Sequence, residues 1–259
     1  MFVMPWQRAQ KPWPDVYDTP AYGISDAARY LLLPSATLRS WVLGRDYPTK
    51  RRGRRRFEPL IEIAAPGLLS FRNLAEAHVL ASLRRDHHVN MGAVRAAVKH
   101  MREKLGNAHP LVNPDMVTNG ISIFVKWYLG AVSKRERSFL AGRPDLRAAY
   151  MLEDVSASGQ WTTGDVLSAS LKRIDWDISG PVRLFPFTRR GESNEPKLVV
   201  IDPRISFGKP VLVGTGISTA TIAERYKAGE SIEELARDYE RDPNEIQEAI
   251  RCELLPVAA

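Results

Sequence analysis

Cysteine is almost absent from this 259-residue chain: Cys252 stands alone. An intramolecular disulfide and a thiolate zinc cluster are therefore excluded, and a cytoplasmic protein is the default expectation. No apolar run approaches the roughly 18 residues that span a bilayer, so no membrane partner is expected. The first 20 residues hold Trp6, Trp13 and four prolines but no apolar stretch of the signal-peptide kind. Gly-x-Ser-x-Gly, phosphate-loop and zinc-protease signatures are missing, and no enzyme activity is expected. His87, His88, His100 and His109 fall at no ligand spacing with a cysteine or acidic pair, so neither a metal nor a cofactor is expected. Gly214-Thr215-Gly216 follows no βαβ unit and reads as a tight turn rather than a nucleotide loop.

What is present is ordinary globular material, 44% hydrophobic and 26% charged, long enough for two compact domains or two plus a small insert. Charge is unevenly placed. Residues 1–105 carry a net +9, 106–200 a net +2 and 201–259 a net −4. A basic front half points to a polyanion, and an acidic tail to a different task.

Ser25 is placed to cap a short helix over 26–31, and Ser35 a second over 36–43 with Leu38, Trp41 and Val42 inward. Two short helices joined by a tight turn are the helix-turn-helix pattern. Lys50, Arg51, Arg52, Arg54, Arg55 and Arg56 then crowd around Gly53. Such a cluster repels itself until an anion arrives. It reads as a wing lying on DNA phosphate, or alternatively as a solvated loop or an RNA or membrane patch. Ser35, Thr37, Arg39 and Ser40 are the candidate DNA contacts of the second helix.

A helix is expected over 72–85 and another from a cap at Asn90 to Gly106. Met91, Val94, Val98 and Met101 of the latter are spaced three, four, three. Such a stripe suits a dimer interface and the chain's own core equally. Arg95, Lys99, Arg102 and Lys104 take the opposite face. Asn119-Gly120 predicts a hairpin within 116–125. Ile174, Trp176 and Ile178 alternate ahead of Val182 and Leu184, predicting a second, and a helix is expected over 163–172 between them. Residues 191–196 read as a linker. Short strands are expected at 198–201, 205–207 and 211–213, then three helices. Ser218 caps the first of these. Ser231 and Glu234 form a capping box for the second, and Asp242, Pro243 and Glu245 open the third. Glu233, Asp238, Glu245 and Glu248 are read as outer-face residues, better suited to a protein partner than to DNA.

Residues 22–41, with Ile24-Ser25-Asp26-Ala27-Ala28 and Thr37-Leu38-Arg39-Ser40-Trp41, resemble the MerR-type winged helix-turn-helix. Phe71-Arg72-Asn73-Leu74 resembles the start of that family's next helix pair, although the wing here is longer and far richer in arginine. Ile201-Asp202-Pro203-Arg204, Phe207-Gly208-Lys209-Pro210, Gly214-Thr215-Gly216-Ile217 and the 229–236 string resemble the domain of unknown function 433. Gly216 stands where many members have arginine, so a role of that arginine does not carry over. Together the two halves resemble VapB-type antitoxins, whose partners are PIN-like ribonuclease toxins.

The expected fold is α+β, mainly α. It comprises a flexible arm (1–20), a winged helix-turn-helix domain with a helix pair (21–105), a β-hairpin-containing middle region (106–192), and a β element with a trihelical, homeodomain-like unit that binds toxin (193–259). The resemblance implies a DNA-binding antitoxin that neutralises its toxin and autorepresses its operon by binding operator duplex DNA, as a homodimer or a hetero-oligomer with the toxin. The alternative is a MerR-like regulator responding to a small ligand. Arg204, Phe207, Lys209 and Pro210 are the candidate toxin contacts, with a cation approaching the nuclease carboxylates. Arg204 pairing simply with Asp202 is the competing expectation.

Overall fold

The computed structural model describes residues 15–49, 53–85, 91–106, 108–113, 168–189 and 195–254. The hairpin expected over 116–125, Lys50, Arg51 and Arg52, the cap at Asn90 and most of the arm and the 191–196 segment lie outside them.

The N-terminal half opens with β1 (Tyr22–Gly23), α1 (Ile24–Tyr30) and α2 (Ser35–Leu43). The expected serine caps are not used: Gly23 and Pro34 are the N-caps, and neither helix has a side-chain cap bond. Pro34 suffices because its fixed φ sets the extended backbone that precedes a helix. Leu38, Trp41 and Val42 are buried, as the spacing predicts. An antiparallel hairpin follows, β2 (Arg45–Thr49) against β3 (Gly53–Phe57). β4 (Leu68–Leu69) pairs with β1 and delivers the chain to α3 (Phe71–Arg85). Ser70 accepts the Asn73 N–H at 3.2 Å, while Asn73 Oδ1 accepts from Ser70 N and Ala64 N at 3.0 and 3.1 Å. One buried asparagine thus fixes both the start of α3 and the loop that returns from the hairpin.

α4 (Met91–Leu105) packs on the same core. Val94, Val98 and Met101 are fully buried there, together with Ala93 and Ala97, and Met91 lies against them partly buried. The stripe is therefore satisfied inside the chain, and the dimer seam expected from its spacing is not a free surface. Residues 15–20 of the supposed arm are docked as well. Tyr17 is buried against Phe71, and Arg72 bonds Asp15 at 3.0 Å and also engages Asp18.

Residues 168–171 are helical, residues 163–167 of the expected helix lying outside the described residues, and β5 (Ile174–Asp177) and β6 (Gly180–Leu184) follow, paired with an irregularity between Asp175 and Trp176. Asp177 pairs with Gly180, so Ile178 lies on the two-residue turn between the strands and is fully exposed. Leu184 exchanges two backbone hydrogen bonds with Ile201, at 3.0 and 2.8 Å, so the middle hairpin joins the β element of the C-terminal half. There β7 (Val199–Val200) pairs with β8 (Val211–Leu212). Residues 205–207 are not a strand: Ser206, Phe207 and Gly208 all have positive φ (47, 56 and 75°) and form a single tight turn.

α5 (Thr219–Lys227), α6 (Ile232–Asp238) and α7 (Pro243–Leu254) close a second core of Leu212, Ile222, Leu235, Ile246, Ala249 and Ile250. The Ser231–Glu234 capping box is present, and Asp242 accepts the Asn244 N–H at 2.8 Å. Ser218 is the N-cap of α5 but makes no side-chain bond. Cys252 is buried here, which pushes its thiol up to about 12 and keeps it an inert apolar filler. Glu248, expected on an outer face, is buried. It holds Arg189 at 3.0 Å and Thr188 at 2.5 Å, and also engages Arg251.

Candidate nucleic-acid interface and partner-binding surface

The buried face of α2 leaves its other side to solvent. Arg39 is exposed there, and Ser35, Thr37 and Ser40 are half-buried. The hairpin follows after one residue, Gly44, whose φ of 76° makes the sharp exit. A Cβ on Gly44 would meet the Phe57 carbonyl at 2.5 Å, so glycine is required by space as well as by backbone. Thr49 pairs with Gly53, and Arg54 and Arg55 belong to β3; Lys50, Arg51 and Arg52 lie outside the described residues. Arg56 differs from the rest of the cluster. Its guanidinium donates to the Leu43 carbonyl at 2.9 Å and lies 3.8 Å from Asp46, tying the hairpin base to the end of α2. An exposed helix face followed by a basic hairpin is an arrangement suited to duplex DNA, the helix in a groove and the arginines along phosphate.

The second surface surrounds Asp202, which is 1% exposed. Its carboxylate accepts from Arg204 Nε at 3.0 Å, Arg204 Nη2 at 2.8 Å, the Arg204 backbone N–H at 2.9 Å and Arg183 Nε at 3.1 Å. Burial pushes this carboxyl up, but the bonds from Arg204 and Arg183 outweigh it and hold it below the usual range. Arg204 is correspondingly held well above its ordinary value by those same bonds. The pairing of Arg204 with Asp202 is thus realised. Lys209 is exposed and Pro210 is buried, so proline stiffens the segment without offering a contact.

Phe207 is 94% exposed and sits on the positive-φ turn. Non-glycine residues in that region each cost about 1–3 kcal/mol and persist only where the surroundings over-determine them. Here Ile205 N bonds Asp202 O at 2.9 Å, Gly208 N bonds Ile205 O at 2.9 Å, and Ser206 Oγ reaches the Gly216 carbonyl at 3.3 Å. Gly208 lies under the buried Tyr22 hydroxyl, which a Cβ there would strike at 2.3 Å. Asp202 therefore anchors a rigid turn whose one outward product is an aromatic ring.

An expected consequence is acid sensitivity. Asp202 has a lowered pKa in the folded chain, so its contribution is present above its ordinary value of 3.8 and is lost as pH falls through the lower folded value. Asp202→Asn should remove that contribution and cost about 2 kcal/mol at neutral pH, discounted from the full buried-pair value because both arginines are half exposed. Thermal unfolding followed between pH 2.5 and 7 checks this. The wild-type midpoint should fall more steeply below about pH 4 than that of the variant.

Two family models match separate stretches of the chain. Residues 20–98 match the family described as "Putative DNA-binding HTH domain", and residues 199–251 match "Protein of unknown function (DUF433)". The chain thus carries a helix-turn-helix match in its N-terminal half and a DUF433 match near its C-terminal end, and along most of its length it is similar to a protein named as a VapB antitoxin. It is 27% identical to "Putative antitoxin VapB45" of Mycobacterium tuberculosis over 90% of this chain and 94% of that protein. It is 24% identical to the uncharacterized protein Rv2308 of the same organism, over 94% of each. A crystal structure of Rv2018 from M. tuberculosis superposes with a TM-score of 0.62 at 25% identity, covering 90% of this chain and 99% of that one. Among the described residues no helix is long and apolar enough to cross a membrane.

Proposed function

We propose that this protein is a DNA-binding antitoxin that represses its own operon and silences a PIN-like ribonuclease toxin. The observation that carries the DNA half is the basic hairpin following directly on the exposed face of α2. A helix face followed at once by a basic hairpin is the order in which a winged helix-turn-helix sets one element in a groove and the other along the adjacent backbone. Thr37, Arg39 and Ser40 then face base edges or phosphate, and the arginines of the hairpin follow the backbone. The stripe of α4 is buried in the chain's own core, so a homodimer or a toxin-bound hetero-oligomer that reads a two-fold operator would pair through another surface. The chain performs no chemistry of its own in this reading.

The toxin half rests on Phe207. An exposed ring on a braced turn loses little freedom on binding, which is what a binding hot spot requires. Lys209, two residues on, brings a flexible ammonium toward the carboxylates that a metal-dependent nuclease gathers around its ion. Arg204 is neutralised by Asp202 and stiffens the turn instead. The test is to express any PIN-like ribonuclease whose gene adjoins this one and to measure its inhibition by full-length protein. Phe207→Asp should weaken inhibition by about 100-fold or more while DNA binding is retained. Inhibition at wild-type strength would move the toxin surface elsewhere.

A further inference from the structure

We infer that Arg95 and Arg102 of α4 are positioning residues for the basic hairpin, setting its angle to α2 without touching phosphate themselves. The inference rests on the DNA-binding reading above. Heptad spacing puts both on the polar face of α4, where they look like further surface cations. The structure turns them toward the hairpin base. Arg95 Nη1 donates to the Glu58 carbonyl at 2.7 Å, and its guanidinium lies 4.9 Å from the centre of the Phe57 ring. Phe57 in turn stacks on Tyr47 at 4.1 Å with the rings 16° apart. Tyr47 belongs to β2 and Phe57 to β3, so the stack of guanidinium and two rings runs across the hairpin from α4.

Arg102 completes the brace two turns on. Its Nη2 donates to the Leu60 carbonyl at 2.6 Å, while the Leu60 N–H donates to the Trp41 carbonyl at the end of α2 at 2.7 Å. α2, the hairpin and α4 are therefore joined by directed hydrogen bonds at Trp41, Leu43, Glu58 and Leu60. Only a planar guanidinium stacks on a ring and donates in its own plane at once; an ammonium carries the same charge without that geometry. Burial lowers the Arg95 pKa, consistent with a cation turned into the fold rather than out toward a ligand.

The experiment is a salt titration of full-length protein against a labelled duplex from upstream of its own gene. Each phosphate contact contributes about 0.9 to the slope of log affinity against log salt. Arg95→Lys keeps the net charge, yet it should flatten the slope by about 2, because hairpin arginines lose register with the backbone. Phe57→Leu, which alters no charge, should flatten it similarly. Both variants are compared at a temperature where circular dichroism shows them folded, so lost stability alone does not move the slope. Arg51→Ala with Arg52→Ala runs in parallel. If that pair flattens the slope while Arg95→Lys and Phe57→Leu keep the wild-type value, the positioning role is overturned and the DNA reading stands. If Arg95→Lys matches wild type and Arg95→Ala lowers the slope by about 1, Arg95 is itself a phosphate ligand. If the hairpin pair leaves the slope unchanged, the DNA reading falls and the positioning role falls with it.

Discussion

Val98→Glu is expected to unfold the N-terminal half rather than produce a folded monomer. Val98 is 1% exposed and belongs to the core shared by α1, α2, α3 and α4, with Val94 and Met101 fully buried beside it. A carboxylate there would enter a cluster of apolar side chains. Burying an unpaired charge costs several kcal/mol, a large fraction of the roughly 5–15 kcal/mol that holds a typical domain together. Circular dichroism should show loss of helix and of a cooperative melt. Lys99→Glu is the control: the side chain of Lys99 is 79% exposed, and exposed substitutions of this kind stay within about 0.5 kcal/mol. A folded, cooperative Val98→Glu protein would contradict the core assignment and return the stripe to a surface between chains.

Removing the arginines of the 51–55 segment should have the largest effect on DNA. With about five phosphate contacts the slope of log affinity against log salt is near −4 to −5, so affinity falls about 500-fold between 50 and 200 mM salt. Replacing Arg51, Arg52, Arg54 and Arg55 by alanine leaves about one such contact, and the same change of salt then costs only about four-fold. Arg56 is left out because it bonds the Leu43 carbonyl, and its loss would disturb the hairpin base as well as remove a charge. A fluorescence-anisotropy titration decides the matter. An unchanged slope in the fourfold variant would take the hairpin out of the interface.

Elements with a local cause are legible in this sequence. The apolar spacing of Leu38, Trp41 and Val42 marks a helix, and Ser231 with Glu234 marks a helix start, because each signal acts within a turn of its own chain. The caps at Ser25 and Ser35 mislead for a related reason: Gly23 and Pro34 compete one or two residues earlier, and backbone preference wins where no side-chain bond is needed. A residue count of the cations finds the hairpin cluster but does not separate Arg56, which anchors, from its neighbours.

By itself the sequence determined the two-part organisation: a helix pair followed by a basic segment, and a capped trihelical tail of opposite charge. Short-range periodicity, capping and charge all act between residues close in the chain, so one dimension records them. Which surfaces remain free was decided only by the tertiary structure. Glu248 became buried because Arg189 and Thr188, some 60 residues earlier, arrive beside it. Arg95 and Arg102 turned inward because the hairpin base offers carbonyls and a ring. Phe207 was left outside because Asp202 and Tyr22 hold its turn in a positive-φ geometry. Each outcome depends on groups far apart in sequence meeting at bonding distance, and only the folded chain creates those distances.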